Sequence, residues 1–344
     1  MRKQMSGGVM RRVAMPLSAV VIAAVGSGLV FISLLQRPSS VLAGAHEMLV
    51  SVAVAPSGKQ FVVGYDRFDP SNPERVAHSE VSVRDTLSLR ETQPRLRVEK
   101  LNALSYVSSD YLLTGADNLI RVWDLSQGCQ RAEWQVPVDL VRVLSCSPDT
   151  QFVAVGGSTT KSGGVVCLIE RATQSVVWQI PVGSFGVTAL AFSPDGKWLA
   201  CGDWGEIQVI EVSTGKVVQR FSFDREPHAL AFSPDGKWLA AGGYQQVTVW
   251  DLAGVSAPRQ LDGHPDWVHA VAFSNDGKWL LTGGVRVQPR IAGMVRVWDA
   301  QTLVLVRELS YDEPVMAIGV VGNGATVIGL SSGRCERVYL GSVR

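Results

Sequence analysis

Residues Ser193–Ala200 read SPDGKWLA, and Ser233–Ala240 repeat the same eight residues forty positions later. A near copy, SNDGKWLL, occupies Ser274–Leu281. Matching turns at a period of about 40 residues indicate one supersecondary unit copied in series. The same phase brings out four weaker copies, APSGKQFV at 55–62, VSSDYLLT at 107–114, SPDTQFVA at 147–154 and VGNGATVI at 321–328. The sequence therefore predicts an array of seven units.

The unit at 187–212 shows how each repeat is built. Short apolar stretches at Val187–Phe192, Trp198–Cys201 and Ile207–Val212 are separated by turns rich in Pro, Asp and Gly, and Val217–Phe221 follows one further turn. This spacing predicts four short antiparallel strands per unit. Because a four-stranded sheet cannot bury both faces alone, the units are expected to pack face to face around an axis.

Three units end their third strand in Val-Trp-Asp, at 122–124, 249–251 and 297–299, and Gly263-His264 precedes one of them. With the SPDGKWLA turns, these motifs make the chain similar to the WD-repeat β-propeller family over about residues 42–344. The resemblance implies an all-β fold, a seven-bladed β-propeller of four-stranded antiparallel blades that would occupy residues 37–344. It implies little about activity, since function lies in sites carried on a fold.

The same resemblance implies a hydrogen-bonded set of His, Asp, Ser or Thr, and Trp within a blade. No blade of this chain holds the complete set, so stability is expected to rest mainly on apolar packing between blades. The partial sets are Thr114, Asp117 and Trp123 in blade two, Trp250 with Tyr244-Gln245-Gln246 at the turn in blade five, and His264, Thr282 and Trp298 in blade six.

The N-terminus carries a second signal. Residues 1–12 form a basic segment with Arg2, Lys3, Arg11 and Arg12 and no acidic residue, and residues 13–36 are uncharged and mostly apolar. A helix of about 23 residues at about 1.5 Å per residue crosses the hydrocarbon core of about 30 Å. We therefore expect residues 13–36 to be a single-pass transmembrane anchor, a signal-anchor that leaves the propeller on the extracytoplasmic side.

The alternative is a cleaved signal peptide. Ala43-Gly44-Ala45 has the small-residue form of a cleavage site, and cleavage near Ala45 would give a secreted or periplasmic protein. The repeat phase argues for the anchor, because it gives the last unit no fourth strand after Val338–Leu340. Residues Ser39–Gly44 are expected to supply that strand and to join the two ends of the chain.

Composition and motifs exclude several functions. A net charge of +1 and scattered basic residues argue against nucleic acid. The odd number of cysteines, five, excludes a full disulfide framework, and no His or Cys pair has metal-ligand spacing. The G-x-S-x-G string at Gly329–Gly333 falls in a hairpin turn of blade seven rather than at a strand-to-helix elbow. No catalytic residue, cofactor or metal is predicted.

A partner-binding face is predicted from the variation in unit length. Units one, three and six carry insertions between their second and third strands, at Asp66–Glu80, Ser158–Gly164 and Val285–Met294. In the family that this chain resembles, these loops share a face with the connections entering each next blade. Aromatic and Arg side chains on such a face are typical of interface hot spots, although about half of the aromatics are expected to tuck between blades. The candidate residues are Phe185, Trp204, Tyr244, Trp267, Tyr311, Arg67, Phe68, Arg286 and Arg290.

Three function classes follow. The first is a non-enzymatic protein-binding platform, a membrane-tethered propeller that docks another protein through its loop-rich face. The second is a structural subunit of a larger membrane or envelope complex. The third is a propeller hydrolase or lactonase with an axial site, which convergent acidic and His residues or a bound metal would favour.

Overall fold

A computed structural model describes residues 20–25, 28–33, 47–69, 72–161, 163–288, 290–321 and 324–340. Two strands, β1 (Val20–Val25) and β2 (Gly28–Ser33), pair with each other ahead of the repeats. The rest of the described chain forms seven antiparallel sheets in chain order, and it contains no helix. The predicted count of seven blades is confirmed.

The blade strands run consecutively through the chain. Blade one comprises β3 (Glu47–Val54), β4 (Gln60–Asp69), β5 (Asn72–Asp85) and β6 (Leu96–Val98). Blade two comprises β7 (Ala103–Tyr106), β8 (Tyr111–Ala116), β9 (Leu119–Asp124) and β10 (Cys129–Gln135). Blade three comprises β11 (Leu140–Cys146), β12 (Phe152–Thr159), β13 (Gly163–Glu170) and β14 (Ser175–Pro181). Blade four comprises β15 (Ala189–Phe192), β16 (Trp198–Asp203), β17 (Glu206–Glu211) and β18 (Val217–Ser222).

The remaining blades follow the same plan. Blade five comprises β19 (Ala229–Phe232), β20 (Trp238–Gly242), β21 (Val247–Asp251) and β22 (Arg259–Leu261). Blade six comprises β23 (Val268–Phe273), β24 (Trp279–Arg286), β25 (Ala292–Asp299) and β26 (Leu305–Tyr311). Blade seven comprises β27 (Val315–Val320), β28 (Ala325–Leu330) and β29 (Cys335–Tyr339).

The repeated SPDGKW sequence is the turn between the first and second strands of a blade. In blade four the Ser193 hydroxyl donates to Asp195 Oδ1 at 2.6 Å and accepts the Trp198 backbone N–H at 2.9 Å. Gly196 takes the left-handed conformation that the turn needs, with φ at 72°. The turns at Ser233 and Ser274 make the same two hydrogen bonds. These copies therefore owe their identity to turn formation.

A glycine near the end of each second strand brings adjacent blades into close contact. A Cβ atom at Gly242 would lie 2.7 Å from Val268 Cγ1 and 2.8 Å from Val271 Cγ2, both on the innermost strand of blade six. Because packing here is already dense, only glycine leaves room for the next blade. The seven equivalent glycines are Gly64, Gly115, Gly156, Gly202, Gly242, Gly283 and Gly329.

Blades seven and one meet at the junction of the two chain ends. The Leu49 N–H donates to the Ser331 carbonyl at 3.0 Å, and the Tyr65 hydroxyl donates to the Gly333 carbonyl at 3.3 Å. Among the described residues blade seven has three strands, with β29 outermost. The fourth strand predicted for residues 39–44 lies outside the described residues.

The transmembrane helix predicted for residues 13–36 is not confirmed. In the described part of that segment, β1 and β2 form an antiparallel hairpin that lies against the innermost strands of several blades, β3 and β7 among them. Across the described stretches of chain there is no helix with the length and apolar character needed to span a membrane.

Candidate functional site

The loop-rich face is the side of the propeller on which each blade hydrogen-bonds to the connection that enters the next blade. The turn after β16 donates from Gly205 N–H to the Arg225 carbonyl at 2.6 Å, and Phe223 N–H donates back to the Gly205 carbonyl at 3.1 Å. One blade later, Gln245 N–H donates to the Asp266 carbonyl at 2.7 Å. The predicted insertions lie on the same side, because they lengthen the hairpins β4–β5, β12–β13 and β24–β25. The second-to-third-strand turns and the entry connections therefore share one face.

Four of the predicted aromatic residues come together on this face with one arginine. The ring centroids of Phe185 and Trp204 lie 5.7 Å apart, and those of Tyr244 and Trp267 lie 4.7 Å apart. The guanidinium of Arg225 lies 4.9 Å from the centroid of Tyr244, and the Arg225 carbonyl accepts the N–H of Gly205, the residue after Trp204. We call these five residues the aromatic arc. Phe185 is 66% exposed and Trp204 51% exposed, while Tyr244 and Trp267 are half-buried.

The other predicted partner-binding residues do not join the arc in the same way. Phe68 is only 5% exposed, so it is one of the aromatic residues that are tucked into the fold rather than presented on the face. Arg67 pairs with Glu80 at 3.0 Å. Tyr311 is half-buried against a core cluster that spans blades six, seven, one and two.

Blade six contributes two arginines to the face. Arg290 is exposed, whereas Arg286 is half-buried and its Nε has no hydrogen-bond partner within the described chain. Their hairpin is tied to the connection carrying Trp267, since Val287 N–H donates to Asp266 Oδ2 at 2.8 Å. Arg286 and Arg290 therefore extend the face beyond the arc.

Asp203 organises the exposed end of the arc. Its Oδ1 accepts the Trp204 N–H at 2.6 Å and its Oδ2 accepts the Phe185 N–H at 3.4 Å. One buried carboxylate thus holds the two aromatic residues of adjoining loops side by side. Burial raises the pKa of Asp203, while these backbone N–H groups and Arg142 act in the opposite direction.

Behind the arc lies a group of charges that the sequence analysis missed: the half-buried Arg142 and the buried Asp203 and Glu226. Glu226 is only 9% exposed, and no described residue hydrogen-bonds to its carboxylate. Burial raises its pKa to about 7; Arg142 opposes this effect and Asp203 adds to it. Burial also lowers the pKa of Arg142, whose Nε is buried without a hydrogen-bond partner in the described ranges. A signal was present in the sequence, because an arginine interrupts the apolar run of β11.

Arg142 belongs to a ring of equivalent positions at the start of the innermost strands. In two other blades this residue bonds to the next blade: Asn102 Nδ2 donates to the Val141 carbonyl at 3.0 Å, and Thr188 Oγ1 donates to the Pro227 carbonyl at 2.7 Å. Arg142 makes no such bond to the described chain at its Nε. Its neighbours in the ring are therefore structural, whereas Arg142 faces the carboxylates.

The partial hydrogen-bonded sets form only in part: the Thr–Trp pairs of blades two and six are made, whereas Asp117 of blade two pairs with Lys100 at 3.1 Å. In blade six, Thr282 Oγ1 lies 2.7 Å from His264 Nε2 and accepts the Trp298 Nε1–H at 2.9 Å. In blade two, Trp123 Nε1 donates to Thr114 Oγ1 at 2.9 Å. Burial, with the charge of Arg296, lowers the pKa of His264 to about 3, so this imidazole is neutral at physiological pH. These side chains stabilise single blades.

The sequence motif that suggests catalysis has a structural explanation. The string Gly329–Gly333 spans the end of β28 and a hairpin turn, and Gly333 packs against the Tyr65 ring at the junction with blade one. Within the described ranges, no three His, Cys, Asp or Glu side chains are grouped so as to hold a metal ion.

Comparison with known proteins agrees with this architecture. The model described as "WD domain, G-beta repeat" matches residues 100–124 and 256–299, and that of the anaphase-promoting complex subunit 4 WD40 domain matches 145–235. The chain is a WD-repeat propeller. An uncharacterized WD repeat-containing protein of Schizosaccharomyces pombe is 26% identical over 155 residues, which are 34% of this chain and 26% of that protein. The match therefore spans about a quarter of that relative's length.

A solved structure shows the same fold. A chain of the Kuenenia stuttgartiensis hydrazine synthase superimposes with a TM-score of 0.72 at 14% identity, covering 90% of this chain and 100% of its own. At this identity the similarity concerns the fold alone. WD-repeat propellers are typically scaffolds for protein interaction.

Proposed function

We propose that this WD-repeat propeller is a non-enzymatic platform that docks another protein through the aromatic arc. The observation that carries the proposal is the pair Phe185 and Trp204, two large aromatic side chains that remain mostly exposed although their backbones are hydrogen-bonded to a buried carboxylate. Rigid, exposed aromatic residues are the side chains that most often dominate binding energy at protein interfaces.

The experiment is a quantitative capture from native extract with the full-length protein as bait. Replacing Trp204 by alanine is expected to lower recovery of a stoichiometric partner at least tenfold, a loss of about 1.4 kcal/mol or more. The matched control is Tyr111→Ala. Tyr111 is 41% exposed at the opposite end of blade two, and its loss is expected to leave recovery unchanged. Equal recovery with the two variants would refute docking through the arc.

We further propose that residues 13–36 tether the propeller to a membrane, with the propeller on the extracytoplasmic side. The support is the uncharged apolar span behind a basic segment. The competing arrangement keeps this segment beside the innermost strands, as β1 and β2 lie in the described chain.

Protease treatment of sealed cells, with fractionation before and after membrane disruption, tests this tether. A tethered propeller sediments with membranes and is not released by high salt. N-terminal sequencing of the purified protein then separates an intact anchor from cleavage after Ala45. Recovery of the uncleaved full-length chain in the soluble fraction would contradict the tether.

A further inference from the structure

We propose that the partner places a basic side chain, arginine or lysine, against the Glu226 carboxylate and the Phe185–Trp204 pair. This inference rests on the proposed docking function and gives the chemistry of the partner. It concerns a site on blades three to five, at the end of the aromatic arc where exposure is greatest.

The Glu226 carboxylate is buried and has no direct ion-pair partner among the described residues. It is nine-tenths buried, and among the described residues it has neither a hydrogen bond nor an ion pair. A buried carboxylate without a partner is costly, and a cationic group that ionises and pairs with it recovers much of that cost. Arg142 acts on it only through its longer-range charge. The carboxylate therefore has no direct partner among the described residues, and we assign that position to a group from outside the chain.

Trp204 and Glu226 flank one backbone hydrogen bond, which joins their neighbours Gly205 and Arg225. Gly205, the residue after Trp204, donates its N–H to the carbonyl of Arg225, the residue before Glu226. Asp203, the residue before Trp204, lies close enough to Glu226 to raise its pKa. An arginine or lysine side chain is long enough to reach a carboxylate while its stem lies along an aromatic ring.

The arc already holds one guanidinium, that of Arg225, against an aromatic ring. Arg225 lies over the Tyr244 ring, whereas no described cation lies over Phe185 or Trp204. Cations bind favourably to the face of tryptophan in particular. The exposed pair thus offers the same kind of surface that Tyr244 offers to Arg225, with its faces available to a partner.

The balance of charge favours a cation over an anion. Two carboxylates, Asp203 and Glu226, stand against one guanidinium, Arg142, and the same connection also carries Asp224 and Arg225. With both carboxylates ionised these three groups carry a net negative charge, which attracts a cation and repels an anion. A basic side chain from the partner forms an ion pair with the Glu226 carboxylate, and this pair offsets the free-energy cost of burying its charge.

The test measures peptide binding to the full-length protein by fluorescence anisotropy. The probe is a labelled, capped peptide of alternating glycine and arginine, and the control probe carries citrulline at each arginine, which keeps the shape and removes the charge. The arginine peptide is expected to bind at least tenfold more tightly, about 1.4 kcal/mol. Glu226→Gln is expected to remove most of that preference. Glu99→Gln, an exposed acidic residue on the connection entering blade two, is the matched control and keeps it.

The pH dependence gives a second readout. Because the Glu226 pKa is about 7, affinity for the arginine peptide is expected to rise from about pH 6 to about pH 8 and to be flat in Glu226→Gln. Equal binding of the two peptides, failure of the arginine peptide to bind, or an affinity that falls with rising pH would each overturn the inference. If Trp204→Ala still abolishes partner capture in that case, the docking function stands and only its charge chemistry is wrong.

Discussion

Replacing Glu226 by glutamine is expected to stabilise the free protein, and more so as the pH rises. The carboxyl has an ordinary pKa of 4.5 and a pKa of about 7 in the folded protein. A carboxyl whose pKa is raised by folding ionises in the unfolded chain first, so folding stability is lost as the pH rises from 4.5 through 7. The difference between 4.5 and 7, at about 1.4 kcal/mol per pH unit, amounts to about 3 kcal/mol above pH 7. Glutamine keeps the shape and carries no charge to bury.

The assay is urea unfolding of wild type, Glu226→Gln and Glu99→Gln at several pH values, followed by tryptophan fluorescence. The stability difference between Glu226→Gln and wild type is expected to be small near about pH 4 and to grow to about 3 kcal/mol near about pH 8. Titrating groups that do not interact with Glu226, His264 among them, are common to both proteins and cancel in this difference. A difference that does not change with pH, or a destabilised variant at about pH 8, would refute the account of Glu226 as a buried carboxyl without a partner.

Three further predictions concern stability. Thr282→Val removes the oxygen that contacts both His264 and Trp298 and is expected to lower the free energy of unfolding by about 2–4 kcal/mol. Thr114→Val leaves only Trp123 without its partner and is expected to cost about half as much. Urea unfolding midpoints of the two variants test this difference. Gly242→Ala is expected to cost about 1–3 kcal/mol, because its Cβ would lie 2.7 Å from Val268, and a melting temperature equal to wild type would contradict this packing. If residues 39–44 pair with β29, deletion of 1–45 lowers the melting temperature and solubility relative to deletion of 1–36, and equal values for the two truncations would exclude that strand.

The sequence predicted the fold well because the turns are local. The SPDGKW turn is formed by contacts within six residues, from the Ser193 hydroxyl to the Trp198 N–H, so each copy marks its blade directly. The insertions were placed correctly for the same reason, since a hairpin only lengthens between two strands already identified.

Predictions of exposure were less successful because they depend on neighbouring blades. Phe68 and Phe185 both stand in polar surroundings in the sequence, yet one is 5% exposed and the other 66%. The interaction of Glu226 with Arg142 joins residues 84 positions apart, and although Arg142 stands out within β11, no local pattern indicates Glu226 as its partner. The apolar character of residues 13–36 was evident in the sequence, but it could not predict that β1 and β2 lie beside the innermost strands.

The glycine contacts between blades have a consequence for the circle as a whole. Each glycine contact sets the angle between two adjacent blades, and the seven angles must add up to a full turn. A side chain added at any one contact opens that angle, and a closed circle passes the excess angle to all the others. This excess angle is expected to accumulate at the junction between blades seven and one, where Tyr65 contacts Gly333, because the fewest covalent connections hold the ring together there. Damage at a remote blade is therefore expected to loosen the seam between the two chain ends first.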